Sequence, residues 1–361
     1  MSCSSWALDR PLRCGQTEPV RAAVYTTTGP SSVLQLVEDK PVAEPAPGEV
    51  RVRVVVSGVN PTDWKARQGG AGGQPLRRPQ VPNQDGAGVV DAVGAGVTEL
   101  RPGDRVWLWD AAWERADGTA QEYVSLPSTQ AVPLPDGESF DTGASLGIPA
   151  LTAHRALTAH DRVPSRLGPG ALSGLVVLVA GGAGAVGHAA IQLARWAGAT
   201  VITTVSSEAK AALARASGAG HVIDYRTTDV AAAVRRLSPD GVDLIVEVNP
   251  DVNLDIDLEV LAPNGTIALY ATETGDPLTV PFRVSMTKNI RYQFILTYTV
   301  TPEQKSDAVA GVSAALAAGV LRVGEEHGLP LTRFPLEETA QAHDAVQQGT
   351  VGKVLIDLGR R

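Results

Sequence analysis

Residues 175–198 read LVVLVAGGAGAVGHAAIQLARWAG, and the fold class can be inferred from this segment. The apolar run Leu175–Ala180 predicts a strand that is buried on both faces, as in a parallel sheet. A glycine-rich turn follows, and the pattern then changes to that of a helix over Ala185–Ala197. One apolar stripe of that helix is formed by Val186, Ala190, Leu193 and Ala197. The stretch therefore reads as a strand, a turn and a helix, the first part of a βαβ unit.

The same alternation continues to residue 271. Strands are predicted at TVITTV (200–205), HVIDY (221–225), VDLIVEV (242–248) and GTIALYA (265–271), and helices at SEAKAALARASG (207–218), TTDVAAAVRRLS (227–238) and Asn253–Leu261. Such alternation predicts a doubly wound parallel sheet, and an α/β fold class. Near the C-terminus, Leu336–Gln348 reads as an amphipathic helix and GKVLIDL (352–358) as a closing strand.

The N-terminal part, from Val20 to about Pro135, has a different pattern. Short alternating or β-branched runs are separated by Pro/Gly pairs: RAAVY (21–25), EVRVRVVVSGV (49–59), AGVVDAVG (87–94) and DRVWLWD (104–110). This pattern predicts an all-β region, a barrel or sandwich with antiparallel pairing. The 361 residues are enough for two domains of common size.

The turn after Ala180 has glycines at the spacing of a dinucleotide-binding motif. Gly182, Gly184 and Gly187 fit G-x-G-x-x-G, and Gly181, Gly184 and Gly187 fit the variant G-x-x-G-x-x-G. Glycine is needed where the turn takes a positive φ, where the backbone approaches a pyrophosphate, and where helix meets strand. The helix N-terminus then presents free N–H groups to the anion. Because it lies inside a βαβ series, the motif predicts dinucleotide binding.

The residues after the next strand bear on the choice between NADH and NADPH. An NAD site has Asp or Glu about 20 residues past the turn, but residues 204–207 are Thr-Val-Ser-Ser. Glu208 stands at a predicted helix start, where the helix dipole favours a carboxylate, and Ser206 is a candidate cap of that helix. The alternative is a pocket for a 2′-phosphate, formed by Ser206, Ser207, Lys210, Tyr225 and Arg226. The combination favours NADPH.

Composition and charge limit the kinds of partner. The formal net charge is −8 without a Lys/Arg cluster, which disfavours nucleic acid and anionic membranes. The two cysteines, Cys3 and Cys14, lie in a loose extension, residues 1–19, so we expect no disulfide framework and a reducing cytoplasm. The N-terminus has no apolar region of a signal peptide. The uncharged stretch 174–194 holds five glycines and changes period midway, so it is not expected to span a membrane.

The number and spacing of cysteines and histidines indicate whether the chain can bind a catalytic zinc ion. A catalytic zinc ion needs three protein ligands from Cys, His and carboxylates, and there is no cysteine between residues 15 and 361. The histidines have no H-x-x-x-H or H-E-x-x-H spacing, and each is expected on a helix surface or in a loop: His154, His160, His188, His221, His327 and His343. The sequence therefore predicts no zinc.

Six segments together carry a family resemblance. They are SGVNPTDWKARQG (57–69), GAGVVDAVGAGV (86–97), SLGIPALTAHRAL (145–157), GGAGAVG (181–187), HVIDYR (221–226) and VNLDIDLEVLAPNGTI (252–267). In combination they resemble the zinc-free, zeta-crystallin-like quinone oxidoreductase branch of the medium-chain dehydrogenase/reductase superfamily, over about residues 21–358. Many alcohol dehydrogenases of this superfamily carry a zinc-binding Gly-His-Glu where this chain has Asn83-Gln84-Asp85. Zinc-bearing relatives have a cysteine ligand at the position of Asn60, so the resemblance also implies an absence of zinc.

The resemblance implies two domains and a dimer. A GroES-like β domain for the substrate would comprise residues 20–145 and 321–361, and a Rossmann dinucleotide-binding domain residues 146–320. NADPH would lie in the cleft between them. Family members often form homodimers through an edge strand of the Rossmann sheet, for which Tyr292–Val300 is the candidate; an interior strand is the alternative.

The resemblance also implies which residues bind the cofactor. The glycine turn would bind the cofactor, and its residues Ala183–Val186 would meet the pyrophosphate. The turn comprises Gly181, Gly182, Ala183, Gly184, Ala185, Val186 and Gly187. The ribose phosphate of the adenosine would contact Ser206, Ser207, Lys210 and Tyr225, and the middle of the cofactor Asn253, Tyr270, Ala271 and Thr272. The nicotinamide would be backed by Ile295, Leu296 and Thr297, with Asn60, Lys65 and Thr152 near its other side.

The segment TDWKARQGGAGGQ (62–74) departs from enoyl reductase relatives, which have a proton-donating tyrosine there. Lys65 and Asp63 are the titratable residues nearby, and a solvated pair or local ion pair is the simpler interpretation of them. Three tryptophans, Trp107, Trp109 and Trp113, follow a predicted strand. We expect them in packing, with one or two available to wall an aromatic substrate pocket.

Three functions fit these observations. The first is an NADPH-dependent reductase of quinones or related conjugated carbonyls, which needs no obligatory acid–base residue because protons can come from solvent. The second is an enoyl or 2-alkenal C=C reductase for a specialised substrate, such as a biosynthetic intermediate, in which Lys65 or Thr152 stabilises an enolate. The third is an NADPH-binding protein without turnover.

Overall fold

The computed structural model describes residues 20–70, 72–272, 275 and 277–358; the predicted N-terminal extension lies outside them. The first part of the chain forms eight strands: β1 (Val20–Thr27), β2 (Gln35–Lys40), β3 (Glu49–Val59), β4 (Pro75–Gln80), β5 (Asp85–Val93), β6 (Arg105–Leu108), β7 (Tyr123–Pro127) and β8 (Ala131–Pro133). Two helices interrupt and follow them, α1 (Pro61–Gln68) and α2 (Phe140–Ala144). The predicted all-β character of this region is confirmed.

A mixed sheet joins this region to the C-terminal tail. The tail contributes β15 (Leu331–Pro335), α10 (Thr339–Gln347) and β16 (Lys353–Asp357). The strand order is β15-β16-β3-β5-β6-β8, with β7 also paired to β3, and a small separate sheet has the order β2-β1-β4. β16 runs antiparallel to β3, with Val354 opposite Val59. The tail therefore completes the N-terminal sheet, and the boundaries at 145/146 and 320/321 stay predictions.

The middle of the chain forms a parallel sheet of six strands in the order β11-β10-β9-β12-β13-β14. Its strands are β9 (Val176–Ala180), β10 (Thr200–Val205), β11 (His221–Asp224), β12 (Val242–Glu247), β13 (Leu261–Leu269) and β14 (Arg291–Phe294). Its helices are α4 (Ala185–Trp196), α5 (Glu208–Ala216), α6 (Val230–Leu237), α7 (Pro250–Val260), α8 (Phe282–Lys288) and α9 (Pro302–Ala317). The predicted doubly wound sheet is confirmed. The helix α7 begins at Pro250, three residues before the predicted start, because proline suits the first helical turn.

The helix α3 (Gly147–Leu157) lies between the two sheets and is almost wholly buried. One hydrophobic core runs from Val56 and Trp107 of the mixed sheet, through Leu151 of α3, to Val177 of the parallel sheet. This shared core fixes the two sheets relative to each other.

The strand β14 is shorter than predicted. It lies at the edge of the parallel sheet, as expected, but it ends at Phe294. The chain then leaves the sheet and forms a short 3-10 helix, Thr297–Thr299. The prediction of a strand through Val300 is therefore wrong in its second half.

Among the described residues, no helix has the length and apolar character needed to cross a bilayer. The uncharged stretch 174–194 is divided between β9 and α4.

Candidate active site

The glycine turn between β9 and α4 is closely packed at two glycines and open at a third. A Cβ on Gly182 would lie 2.1 Å from Thr203 Oγ1, and one on Gly187 would lie 2.3 Å from the carbonyl oxygen of Gly181. Gly181 itself has φ 70°, which favours glycine. Gly184 is the N-cap of α4, and a Cβ there would meet nothing nearer than the Gly181 oxygen at 3.4 Å. Gly184 therefore leaves open space at a helix N-terminus, where an anion is stabilised.

The open side of this turn faces a cavity of about 160 Å³. The cavity is lined by Gly181, Ala183, Gly184, Val205, Ser206, Lys210, Tyr225 and the loop 349–352. Predicted cofactor-binding residues from the ends of three strands thus lie together. The loop 349–352 was missed from sequence, although its letters, GTVG, give a signal; a β-bridge joins Gly352 to Gly184.

The far end of the cavity presents a cation and a hydroxyl group. Lys210 Nζ donates to Ser206 Oγ at 3.0 Å. The N-cap of α5 is Ser207, which accepts from the Lys210 backbone N–H, so the candidate cap Ser206 was the wrong serine. Glu208 is exposed and accepts from Arg215 at 2.7 Å. The residues that line the cavity include no acid, and this composition fits a 2′-phosphate.

The residues predicted for the middle of the cofactor follow β12 and β13. Asn253 Nδ2 donates to Glu247 Oε1 at 3.0 Å, and the Tyr270 backbone N–H donates to the Glu247 carbonyl at 3.2 Å. Thr272 Oγ1 donates to Asp251 Oδ2 at 2.5 Å. Burial raises the pKa of Glu247 and of the Tyr270 phenol. These contacts bring Asn253 of α7 and Tyr270, which follows β13, to Glu247 at the end of β12. Ala271 is half-buried between Tyr270 and Thr272.

The predicted nicotinamide residues leave the sheet after β14. The Ile295 backbone N–H donates to the Leu269 carbonyl at 2.8 Å. Ile295 and Thr297 are buried, whereas Leu296 between them is 50% exposed. Thr152 is buried in α3, one turn after Ile148.

A buried network stands where zinc-bearing relatives have their ligands. Asn60 Nδ2 donates to Asp85 Oδ2 at 2.7 Å, and Lys353 Nζ donates to Asn60 Oδ1 at 2.6 Å. Lys353 Nζ is 3.4 Å from Asp85 Oδ2, and the backbone N–H of Ile148 donates to Asp85 Oδ1 at 2.9 Å. Burial lowers the pKa of Lys353 and raises that of Asp85, and their attraction opposes both shifts. The network links β3, β5, α3 and β16. Sequence reasoning missed Lys353, a lysine that opens the apolar strand KVLID.

This set of side chains does not fit a zinc ion. It supplies an amide, a carboxylate and an ammonium group, and the ammonium of Lys353 already binds the Asn60 oxygen. A second cation at that oxygen would be repelled, and zinc prefers imidazole, thiolate and carboxylate ligands. Throughout residues 20–358, apart from the undescribed 71, 273, 274 and 276, no three His, Cys, Asp or Glu side chains are grouped to hold a metal.

Asp63 and Lys65 of α1 lie on different faces of the helix, so they form no local pair. Asp63 is buried and accepts from the backbone N–H groups of Asn60 at 2.6 Å and Gln84 at 3.1 Å. Burial and then the charge of Asp85 raise the pKa of Asp63 to about 7. Lys65 is exposed, and its Nζ lies 5.7 Å from the centre of the Trp64 ring. The expectation of a solvated pair or ion pair is wrong for Asp63.

An aromatic pair lies beside this network. Trp113 stacks on Tyr298 with ring centres 4.4 Å apart and planes inclined by 12°. Tyr298 Oη donates to Thr62 Oγ1 at 3.0 Å, and Thr62 lies two residues after Asn60. Burial raises the pKa of Tyr298. Trp107 is buried in the core, as expected, and Trp113 is half-buried.

Four histidines are buried: His154, His160, His188 and His343. The prediction of a helix surface or a loop is wrong for His154, His188 and His343, which lie on buried helix faces, whereas His160 does lie in a loop. His188 Nε2 contacts the His327 carbonyl at 3.0 Å, and His343 Nε2 contacts Asn83 Oδ1 at 2.9 Å. Burial lowers the pKa of His154 and His188 to about 4 and that of His343 to about 3. These side chains are neutral hydrogen-bonding groups of the interior.

Comparison with known families agrees with this geometry. Residues 46–136 match the alcohol dehydrogenase GroES-like domain, and residues 185–314 match the zinc-binding dehydrogenase family. A quinone oxidoreductase of Sus scrofa is 31% identical over 352 residues, which cover 96% of this chain and 100% of that protein.

Two solved structures are similar throughout. A structure described as an NAD-dependent alcohol dehydrogenase has a TM-score of 0.79 at 30% identity, with 94% of this chain and 100% of that chain covered. The Escherichia coli quinone oxidoreductase complexed with NADPH has a TM-score of 0.75 at 25% identity, with the same shares covered. On its two sheets, its glycine turn and these relatives, the chain belongs to the medium-chain dehydrogenase/reductase superfamily of oxidoreductases, in the quinone oxidoreductase branch.

Proposed function

We propose that the protein is an NADPH-dependent, zinc-independent oxidoreductase that transfers hydride to a quinone or a related conjugated carbonyl. The observation that carries the proposal is the buried network in which Lys353 and Asp85 hold Asn60 where zinc-bearing relatives have a ligand. An acceptor that needs no metal to become electrophilic suits such a site, because a quinone accepts hydride readily.

The choice of NADPH rests on the cavity beside the glycine turn. The open face of Gly184 admits the pyrophosphate, and Ser206, Lys210 and Tyr225 would hold the 2′-phosphate. The Escherichia coli relative was solved with NADPH, which supports the same choice. When bound, NADPH supplies the hydride.

Asn60 is the residue best placed to bind the acceptor. Its oxygen is fixed by Lys353, so the NH₂ group must point the other way. One N–H of that group is hydrogen-bonded to Asp85, and within the described part of the chain the second N–H has no hydrogen-bond partner. This second N–H can donate to the acceptor's carbonyl oxygen, where negative charge develops as hydride arrives.

The proposal is tested by steady-state oxidation of NADPH with EDTA present, against a para-quinone and a 2-alkenal in parallel. Quinone turnover that survives EDTA supports the proposal. Turnover of the alkenal alone would favour the C=C reductase, with buried Thr152 the first residue to mutate and exposed Lys65 the second. NADPH binding without turnover of either acceptor would favour a binding role, and loss of activity that zinc restores would overturn the metal-free site.

We further propose a homodimer through the edge of the parallel sheet. The edge strand β14 and the neighbouring helix α8 expose Phe294 (63%), Phe282 (77%) and Met286 (47%), an apolar surface that a second copy can cover. Light scattering should give a dimer for the native protein and a monomer for Phe294→Asp. A native monomer would remove this proposal. The two cysteines lie in residues 1–19, outside the described part, and a reducing cytoplasm stays an expectation.

A further inference from the structure

A buried ion pair is formed by Asp110 and Lys305. Lys305 Nζ donates to Asp110 Oδ2 at 2.7 Å, with side chains 10% and 4% exposed. Asp110 follows β6 of the mixed sheet, whereas Lys305 lies in α9, beyond the parallel sheet. Lys305 Nζ also lies 4.6 Å from the ring centre of Trp109. The pair therefore connects the segment after β6 of the mixed sheet to a helix that follows β14, the last strand of the parallel sheet.

The cluster has hydrogen-bonding capacity left over. Asp110 Oδ1 and Trp109 Nε1 are buried, and no partner contacts them within the described part of the chain. The ammonium of Lys305 has three N–H donors, of which one is bonded to Asp110. A buried polar atom left unpaired destabilises the folded protein, so native proteins seldom retain several together without a ligand or water.

This leftover capacity lies beside the proposed acceptor site. The backbone N–H of Ala111, the residue after Asp110, donates to the Gln84 carbonyl at 3.1 Å, and the residue after Gln84 is Asp85, which is bonded to Asn60. The Trp113 backbone N–H donates to the Asp110 carbonyl at 3.2 Å, and Trp113 stacks on Tyr298. The ion pair, the aromatic pair and the Asn60–Asp85 contact are thus neighbours.

A purely structural role, in which the pair holds the two sheets together, does not explain why the two side chains are charged. Removing two charges from water is costly, and apolar residues of similar volume often stabilise a protein as well or better. An ion pair with a free carboxylate oxygen has a property that an apolar brace lacks. It can bind a polar substituent of the substrate.

We propose that Asp110 and Lys305 form a recognition site for a hydroxyl-bearing ring substrate, in the class of hydroxylated quinones. Asp110 Oδ1 accepts from the hydroxyl group, Lys305 donates to an adjacent oxygen, and the Trp113–Tyr298 pair borders the ring. This inference rests on the proposed function and specifies its substrate class.

The test compares matched quinones that differ in one group. The probes are 1,4-naphthoquinones with either an ethyl or a hydroxymethyl group, placed at position 2 or at position 6. At one of the two positions, we expect kcat/KM with NADPH to be at least about tenfold higher for the hydroxymethyl compound than for the ethyl compound. A site that hydrogen-bonds a hydroxyl group discriminates against an analogue that lacks it. Ratios within twofold at both positions would overturn the inference.

Variants assign the preference to the pair. The double variant Asp110→Leu/Lys305→Met replaces the pair with apolar side chains of similar volume, and its ratio of kcat/KM values should fall to about 1. If this variant does not fold, Asp110→Asn takes its place and should also lower the ratio. The matched control is Asp307→Asn. Asp307 lies on the same helix as Lys305 and forms a surface ion pair with Arg166, so its replacement should leave the ratio unchanged. A preference that persists without Asp110 and Lys305 would also overturn the inference.

Failure of the proposed function is distinguishable in the same experiment. If neither the ethyl nor the hydroxymethyl compound is reduced, the quinone reductase proposal fails. The inference is then tested by binding. The dissociation constants of the two compounds are measured with NADP⁺ present, by quenching of tryptophan fluorescence. A tenfold difference supports the recognition site, and equal values overturn it.

Discussion

A methyl group on Gly184 should block the cofactor while leaving the fold intact. The Cβ of Gly184→Ala would have the Gly181 oxygen at 3.4 Å as its nearest neighbour, which is ordinary contact, and Gly184 has φ −84°, which alanine adopts freely. Alanine is a poorer N-cap than glycine, so we expect a loss of less than about 1 kcal/mol in the free energy of unfolding.

The effect on binding should be larger. The added methyl occupies the open space at the N-terminus of α4, where we place the pyrophosphate. A pyrophosphate held away from this turn loses at least one charge-assisted hydrogen bond, worth about 1.5–3 kcal/mol. The dissociation constant of NADPH should therefore rise by about tenfold or more.

Two measurements test this together, fluorescence titration with NADPH and thermal unfolding without it. The matched comparison is Gly187→Ala, whose Cβ would lie 2.3 Å from the Gly181 oxygen. That overlap forces the backbone to move, at about 1–3 kcal/mol, so this variant should lower the unfolding temperature. If Gly184→Ala binds NADPH within twofold of the native protein, the pyrophosphate does not lie at this turn, and the reasoning is refuted.

Three further predictions concern charge and pH. Lys210→Ala should lower kcat/KM for NADPH at least about tenfold with little change for NADH, because only the 2′-phosphate meets that ammonium; equal losses would contradict it. Lys353→Met leaves Asp85 charged and buried, so it should lose about 3–5 kcal/mol of stability in denaturant unfolding, and Lys353→Met/Asp85→Asn should recover much of this. His188 has a pKa lowered to about 4, so its contribution to stability is present above pH 6.5 and is lost as the pH falls towards 4, by roughly 3 kcal/mol. His188→Gln should therefore show a shallower loss of stability over that range, and an identical slope would show that His188 does not titrate this way.

The local pattern of the sequence was enough to predict the sheets and the glycine turn. A buried apolar strand, a turn with glycines and an amphipathic helix each have a periodicity of their own, so Val176–Ala180 and Ala185–Trp196 follow closely from the letters. The lining of the cavity by Ser206, Lys210 and Tyr225 also agrees with the family resemblance.

Contacts between distant residues could not be predicted in this way. Lys353 meets Asn60 across 293 positions, and Lys305 meets Asp110 across 195, so each pair depends on how the two sheets pack. Burial of His188 and of Asp63 depends on the same packing. The end of β14 at Phe294 is a similar case, since the chain beyond it turns to bring Tyr298 to Thr62.

The most direct test of metal-free hydride transfer is a kinetic isotope effect measured with EDTA present. NADPH deuterated at C4, in each of its two diastereomeric forms, would be oxidised with a para-quinone under steady-state conditions. We expect a primary isotope effect for one form only, of equal size with and without EDTA. An isotope effect for neither form, where hydride transfer limits the rate, or activity that disappears with EDTA and returns with zinc, would contradict it.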